Sequence, residues 1–186
     1  RPDLKVKPIA GRAMKALSQI KEAMVFSFPP PPVINEPFRT AVEVIVAEVK
    51  EQSADTASFT AELLRRMNEV SPDPNVELLL SGVDSPASFV ESITTILASA
   101  RIPARMIHGF ELQGRQRTAE PMIWLEVHDG DSWRYFDPQS GEETLPDRFF
   151  IWWRGNEPLI SVEGGSNVQV GFAVQEVSDG GAPWRW

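Results

Sequence analysis

Two serines and a histidine are the residues with which nucleophilic chemistry could start in this chain. Ser85 and Ser88 lie in the segment "DSPASF", and His108 lies in "ARMIHGF". A serine hydrolase needs a base that contacts the nucleophile and is itself oriented by a third group. Nothing in the sequence places His108 beside either serine. Two interpretations therefore stay open: a serine nucleophile, or a helix cap at Ser85 and a hydrogen-bonded sheet residue at His108.

The segment "EVHDGD" collects four side chains that could ligate a metal ion, namely Glu126, His128, Asp129 and Asp131. Glu126 and His128 share one face of a predicted strand, whereas the aspartates belong to the turn after it. A strand and a turn seldom hold metal ligands in a fixed geometry. We interpret this segment as a solvated acidic turn, and we expect neither a metal nor another cofactor.

Composition excludes several functions. The chain has no cysteine, which rules out a thiol nucleophile, a thiolate metal site and a disulfide. It has 18 basic against 26 acidic residues and a net charge of −8, with no long basic run, so we expect no nucleic-acid partner. No stretch approaches the roughly 20 apolar residues of a membrane span. The chain begins at Arg1, which is typical of a piece cut from a longer protein.

The N-terminal half shows the apolar period of helices. The first predicted helix covers residues 8–24. The second is capped by Asn35 and has Phe38 on its apolar face, and the third covers residues 56–69 with Asp55 as its cap. A short helix in "NVELLL" ends at Gly82, and a fifth helix lies in "DSPASFVESITTILASA". In the last of these, Ser85 is the expected N-cap and Pro86 fits the first turn, where its missing N–H costs nothing. The run "PPPP" predicts a stiff polyproline II connector.

After residue 103 the apolar period changes from 3.6 to 2, which predicts strands. These are "ARMIHGFEL" (104–112), "PMIWLEVH" (121–128), "SWRYFD" (132–137), "PLISVEG" and "VQVGFAVQEV". Asp129-Gly130 predicts a tight hairpin turn, residues 113–119 a longer loop, and residues 146–155 a helical turn with an aromatic face. Helices followed by an antiparallel sheet are typical of the α+β class.

The order of motifs around this hairpin resembles the transglutaminase-like superfamily. A buried helix is followed by "RIPAR", a strand, "W-x-E-V", a DG turn and "W-x-x-F-D-P" across residues 84–140. The family pattern has a Cys at the start of the helix, then "GIPAR", "HAW-x-E-V" and "W-x-x-FDP". The resemblance implies a transglutaminase-like, papain-like fold, with a helical N-terminal layer packed on a central antiparallel sheet.

In that family a Cys attacks a carbonyl, a His moves the proton and an Asp orients the His. The family spacing places the Cys position at Pro86 and the His position at Met122, whereas Asp137 is retained. Proline has no reactive side chain and a thioether is not basic. The resemblance therefore implies a degenerate catalytic triad. Ser85, Ser88, Trp124 and Asp137 are the candidates for binding in the former cleft.

The preamble "TAVEVIVAEVKEQSADTASFTAELLRRMNE" is similar to that of a bacterial subfamily, an inactive transglutaminase-like domain fused to seven transmembrane helices. This implies residues 1–35 as an N-terminal helix and Pro-rich connector, and residues 36–186 as an inactive, extracytoplasmic domain on the periplasmic side of the inner membrane. We expect a ligand- or partner-binding role. The partner would be the membrane-embedded part of its own chain, or a membrane or periplasmic protein or peptide. The alternatives are an enzyme with a relocated serine nucleophile and a purely structural domain.

Two aromatic segments allow two interpretations, burial in the core or exposure as a docking surface. "FFIWW" and "APWRW" contain more large aromatic side chains than one core face accommodates. They are either buried on both sides or form a docking surface for the membrane part or a partner.

Overall fold

The structure is a computed structural model that describes residues 5–8, 30–70, 73–112, 117–157, 160–164 and 170–174. Within these ranges four helices precede an antiparallel sheet, which confirms the α+β class. The helices are α1 (Phe38–Glu51), α2 (Thr56–Asn68), α3 (Pro74–Leu80) and α4 (Pro86–Ser99). The strands are β1 (Lys5–Pro8), β2 (Ala104–Glu111), β3 (Thr118–Ala119), β4 (Pro121–His128), β5 (Trp133–Phe136), β6 (Phe149–Arg154), β7 (Ile160–Glu163) and β8 (Phe172–Ala173).

Four of the strands form the central sheet in the order β5-β4-β2-β6, and two small ribbons pair β1 with β7 and β3 with β8. Helix α4 packs on β2 and β4, and the other helices surround α4. This arrangement buries a single apolar cluster between helices and sheet. Its fully buried members include Ile45, Val49, Leu63, Leu64, Ile93, Leu97, Leu125, Val127 and Phe136.

Two helices begin at reciprocal caps that the sequence predicts. The Asp55 carboxylate accepts the backbone N–H of Ser58 at 2.8 Å, and Ser85 Oγ accepts that of Ser88 at 3.2 Å. In both cases the hydroxyl of the third helical residue accepts the backbone N–H of the cap residue, which completes a capping box. Pro86 occupies the first turn of α4, as predicted.

The predicted cap of α1 is wrong. The helix starts after Pro37, and Asn35 contributes only its backbone carbonyl, which accepts from Arg39. Glu36 serves the first turn instead, because its carboxylate accepts the backbone N–H and the hydroxyl of Thr40 at 3.3 and 2.8 Å. Phe38, predicted to face inward, is 40% exposed. The predicted helix over 8–24 lies outside the described residues, apart from Pro8 in β1.

Three predictions in the C-terminal half also need correction. Residues 146–155 are not a helical turn, since Phe149–Arg154 pair with β2; aromatic and β-branched side chains favour such a strand. The β4–β5 connection is a four-residue loop, in which Asp129 accepts the N–H groups of Asp131 and Ser132. The predicted loop over 113–119 contains the short strand β3. Strand β7 is confirmed, and of the last predicted strand the described part contains β8.

Helix α4 ends at a residue in an unusual conformation. Arg101 has φ 64° and follows the cap Ala100. The Arg101 N–H donates to Ala98 O and the Ile102 N–H to Leu97 O, a Schellman motif that ordinarily has glycine at this place. Arg101 is the residue that the resemblance aligns with the glycine of "GIPAR", and its left-handed conformation is one that glycine adopts at lower cost.

We expect Arg101→Gly to stabilise the protein. A left-handed non-glycine residue costs about 1–2 kcal/mol, and the extra freedom of glycine in the unfolded chain offsets about 0.5–1 kcal/mol of that. The free energy of unfolding in urea should rise by up to about 1 kcal/mol. Arg101→Ala is the matched control, because it removes the same side chain but keeps the Cβ. If the alanine variant gains as much stability as the glycine variant, the backbone strain is not the cause.

Candidate functional site

The three positions that the resemblance assigns to a degenerate triad line one cavity. Pro86 comes from the start of α4, Met122 from the start of β4, and Asp137 from the turn that follows β5. The cavity has a volume of about 430 Å³ and opens to solvent. Its further lining is mostly apolar and comes from Phe89, Val90, Pro121, Ile123, Trp124 and Pro138, with Asn68, Ser85 and Gln139 as polar members.

The two candidate serines do not share this cavity. Ser85 lines it, with its hydroxyl engaged in the cap of α4, at 3.0 Å from the hydroxyl of Ser88. Ser88 instead lines a groove of about 480 Å³ between α4, α1 and the end of α3. Of the predicted binding residues, the structure thus brings Ser85, Trp124 and Asp137 together and leaves Ser88 apart.

Trp124 forms one wall of the cavity. Its indole N–H donates to the carbonyl of Thr144 at 2.7 Å, and its ring centroid lies 5.7 Å from that of Phe149. Phe149 reaches this position because Gly109 has no side chain: a Cβ there would overlap Phe150 O and lie 2.6 Å from the Phe149 ring. The close approach of β6 to β2 therefore fixes the aromatic wall.

Asp137 organises the turn that forms the opposite rim. One carboxylate oxygen accepts the backbone N–H of Gln139 at 2.9 Å, and the other accepts the Ser140 hydroxyl at 3.0 Å. The Asn68 amide donates to Pro138 O at 2.8 Å and so ties this turn to the end of α2. Asp137 is the single charged residue among the described residues that line the cavity. It is half-buried, with oxygen lone pairs left over for a ligand.

His108 does not lie in the cavity, and no histidine occurs among the described lining residues. Its Nε2 lies 3.1 Å from the carbonyl of Gly155. A carbonyl only accepts, so Nε2 carries the proton. Burial lowers the pKa of His108 below its ordinary value, and the Gly155 hydrogen bond opposes this shift. A buried imidazole bound to a backbone carbonyl is the hydrogen-bonded sheet residue that the sequence allowed.

The segment 126–131 is not a uniformly solvated acidic turn. Glu126 is 1% exposed, and its carboxylate binds Arg105 of β2 and, at 3.0 Å, Nε of Arg154 of β6. The hydroxyl of Tyr135 of β5 also contacts Glu126; burial, followed by the charge of Glu126, raises the pKa of this phenol. Within the described ranges, no group of three His, Asp or Glu side chains could hold a metal ion.

The turn itself is exposed, as the sequence suggests. The N–H of Ser132 and, after it, the guanidinium of Arg134 hold the pKa of Asp129 well below its usual range. Sequence reasoning missed the ionic cluster of Arg105, Glu126 and Arg154. A signal existed for two of its members, since Arg105 closes "RIPAR" and Glu126 belongs to "W-x-E-V". Those motif residues face each other across β2 and β4.

Residues 11–83 match a family described as an inactive transglutaminase fused to seven transmembrane helices. This confirms the resemblance drawn from the preamble; the match includes α1, α2 and α3 and ends before α4. The cavity residues from Ser85 onward lie beyond it. Neither the search of curated proteins nor the search of solved structures found a match. In the part of the chain that the structure describes, no helix is long and apolar enough to cross a bilayer.

We expect His108 to make the protein less stable in mild acid. Its pKa is lowered by folding, so the unfolded chain binds the proton first as the pH falls through 6.5. The free energy of unfolding should therefore fall between about pH 7 and pH 5 and level off below the folded pKa. His108→Gln retains a donor for Gly155 O and should flatten this dependence. The unsubstituted chain is the reference, and a slope that is as steep in His108→Gln as in the unsubstituted chain would contradict the assignment.

Proposed function

We propose that this chain is a non-catalytic, extracytoplasmic domain of a bacterial inner-membrane protein, and that its cavity binds a ligand or a partner segment. The family description of an inactive transglutaminase fused to transmembrane helices supports the non-catalytic character and the membrane association. The periplasmic side and the binding role are our inference. The binding unit would be residues 36–186, with residues 1–35 as its N-terminal helix and connector.

One observation carries the proposal: Pro86, Met122 and Asp137, the positions that the resemblance assigns to the triad, line a single cavity that has neither a thiol nor an imidazole among its described lining residues. The proline side chain offers no nucleophile, and the thioether of Met122 cannot accept a proton at neutral pH. The Ser85 hydroxyl is engaged in the helix cap, and its described hydrogen-bond partners, the backbone N–H and the hydroxyl of Ser88, include no basic nitrogen. A relocated serine nucleophile is accordingly the weaker alternative.

The lining also indicates what kind of ligand fits. Apolar side chains form most of the wall, and Asp137 supplies one anionic acceptor at the rim. Such a cavity favours an apolar group that carries a hydrogen-bond donor or a positive charge. A side chain of a membrane or periplasmic protein or peptide, including the membrane-embedded part of the same chain, meets this description. A purely structural domain would have no use for the cavity.

Occupation of the cavity can be tested with Nile red, a neutral apolar dye that fluoresces on leaving water. We expect the dye to bind, and Met122→Asp to weaken binding about tenfold or more, equivalent to ~1.4 kcal/mol. The new carboxylate would face apolar side chains and lie in the same cavity as Asp137.

Ser92→Asp is the matched control for this experiment, because Ser92 lines the groove beside α4 rather than the cavity. Circular dichroism establishes that both variants fold. If both variants bind the dye as the original chain does, or if Ser92→Asp abolishes binding while Met122→Asp does not, the cavity is not the binding site.

We also expect that introducing Cys and His at the two substituted triad positions will not produce an active enzyme. Pro86→Cys with Met122→His rebuilds Cys, His and Asp, yet reactivity requires a lowered thiol pKa and donors for the oxyanion. The alkylation rate of the introduced thiol against pH should report a pKa near the ordinary value of about 8.5.

The single variant Pro86→Cys is the control, since it has the thiol without the base. A thiol pKa well below 8.5 that appears only when Met122→His is also present, together with ester cleavage, would show that the site is still organised for catalysis. The unsubstituted chain should not turn over amine donors, glutamine peptides or activated esters. Turnover lost in Ser85→Ala or Ser88→Ala would support the alternative.

A further inference from the structure

A set of aromatic side chains on β2, β6 and β8 forms an exposed surface, which we call the aromatic face. It consists of Phe110, Phe150, Trp152 and Phe172. Phe110 is buried at its centre, 6.3 Å from the Trp152 ring and 4.8 Å from the Phe172 ring, measured between centroids. Phe150 and Trp152 are 49% and 48% exposed. Two large aromatic side chains are therefore half in water, side by side.

The aromatic face lies on the same side of the sheet as the apolar core. Phe110 follows Met106 at even spacing along β2, and Phe150 is its direct partner on β6. Helix α4 covers Met106 and the neighbouring part of β4, whereas β6 lies on the far side of β2 from β4. Among the described helices none covers Phe150 or Trp152. Exposed Leu112, at the end of β2, and exposed Val170, before β8, extend the apolar character of this region.

We propose that the aromatic face docks onto the interfacial region of a lipid bilayer. The proposal rests on the membrane association given above, because a domain fused to transmembrane helices stays within reach of the bilayer. Trp is enriched where headgroups meet acyl chains, and Trp, Phe and Leu form the apolar faces that insert at this boundary. The face thus has the chemistry of that region on a part of the sheet that the described helices leave open.

The net charge of the protein determines how the aromatic face could bind a bilayer. The chain carries a net charge of −8, so anionic headgroups repel the protein as a whole. Attraction must come from transfer of apolar side chains out of water, which salt does not screen. Binding should therefore be at least as strong to zwitterionic as to anionic vesicles, and insensitive to ionic strength.

The experiment is flotation of the 186-residue chain with protein-free phosphatidylcholine vesicles. We expect a bound fraction that is unchanged between low and high salt and does not increase when phosphatidylglycerol is added. Phe150→Ser with Trp152→Ser should reduce the partition coefficient about tenfold, equivalent to ~1.4 kcal/mol of lost transfer free energy. A second pair, Leu112→Ser with Val170→Ser, removes rim side chains without touching the aromatic contacts. It should reduce partitioning severalfold even if the first pair unfolds the protein.

Two control pairs separate this face from other apolar groups. Val33→Ser with Phe38→Ser removes exposed side chains at the start of the helical layer, and Trp184→Ser with Trp186→Ser removes the tryptophans of "APWRW". Both pairs should leave most of the partitioning intact. If the chain does not float, or if either control pair abolishes flotation while the aromatic pair does not, the proposal is wrong.

Two further outcomes of the flotation experiment also test the proposal. Binding that requires phosphatidylglycerol and disappears with salt would indicate an electrostatic mode and overturn the proposal. Self-association detected by sedimentation, lost in the aromatic variant while vesicle binding is absent, would assign the face to a second copy of the chain. Nile red binding by the Met122-lined cavity is measured separately. Failure of flotation with normal dye binding therefore refutes the aromatic face alone, and the reverse result refutes the binding cavity alone.

Discussion

A buried carboxylate sets the register of the central sheet. Glu126 is shielded from water and lies between guanidinium groups supplied by β2 on one side and β6 beyond it. An isolated charge at this depth would be costly, so the pairing that places Glu126 opposite Arg105 is favoured over one that leaves the carboxylate unpaired. A slip of one residue would turn the carboxylate into the apolar core and place Leu125 beside the guanidinium groups. The positions of Met122 and Trp124, on the same strand, follow from this register.

The cavity depends on that register and on the start of α4. The capping box fixes Ser85 and Pro86, the β4 register fixes Met122, and the Asp137 turn is tied to α2 through Asn68. Three independent local interactions thus position the residues that line one cavity. Each is satisfied by hydrogen bonds and packing that need no catalytic side chain. The shape of the cavity therefore does not depend on a reactive side chain.

The sequence predicted the elements whose signals are local, and failed where the deciding contacts are distant. Asp55 and Ser85 precede long apolar periodic segments, so both caps could be read directly. The strand at Phe149–Arg154 could not, because its aromatic run fits either period until pairing with β2 selects the extended form. The burial of Glu126 was missed for the same reason, since one of its partners, Arg154, is far away in the chain. Ser88 was predicted to lie at the cavity because it is close to Ser85 in the sequence; its hydroxyl does contact that of Ser85, yet Ser88 lines the neighbouring groove.

The start of α4 has one more consequence, which concerns the electrostatic field inside the cavity. The first turn of a helix ordinarily offers several unpaired N–H groups and the positive end of the helix dipole, which together attract anions. Here Pro86 has no N–H, and Ser85 Oγ takes the N–H of Ser88. Asp137 adds a negative charge across the same space. The first turn therefore offers fewer free N–H groups to an anion than an ordinary helix start, and the carboxylate of Asp137 disfavours phosphates and other anions in the same cavity. In the proposed binding role, such a cavity suits neutral or cationic ligands.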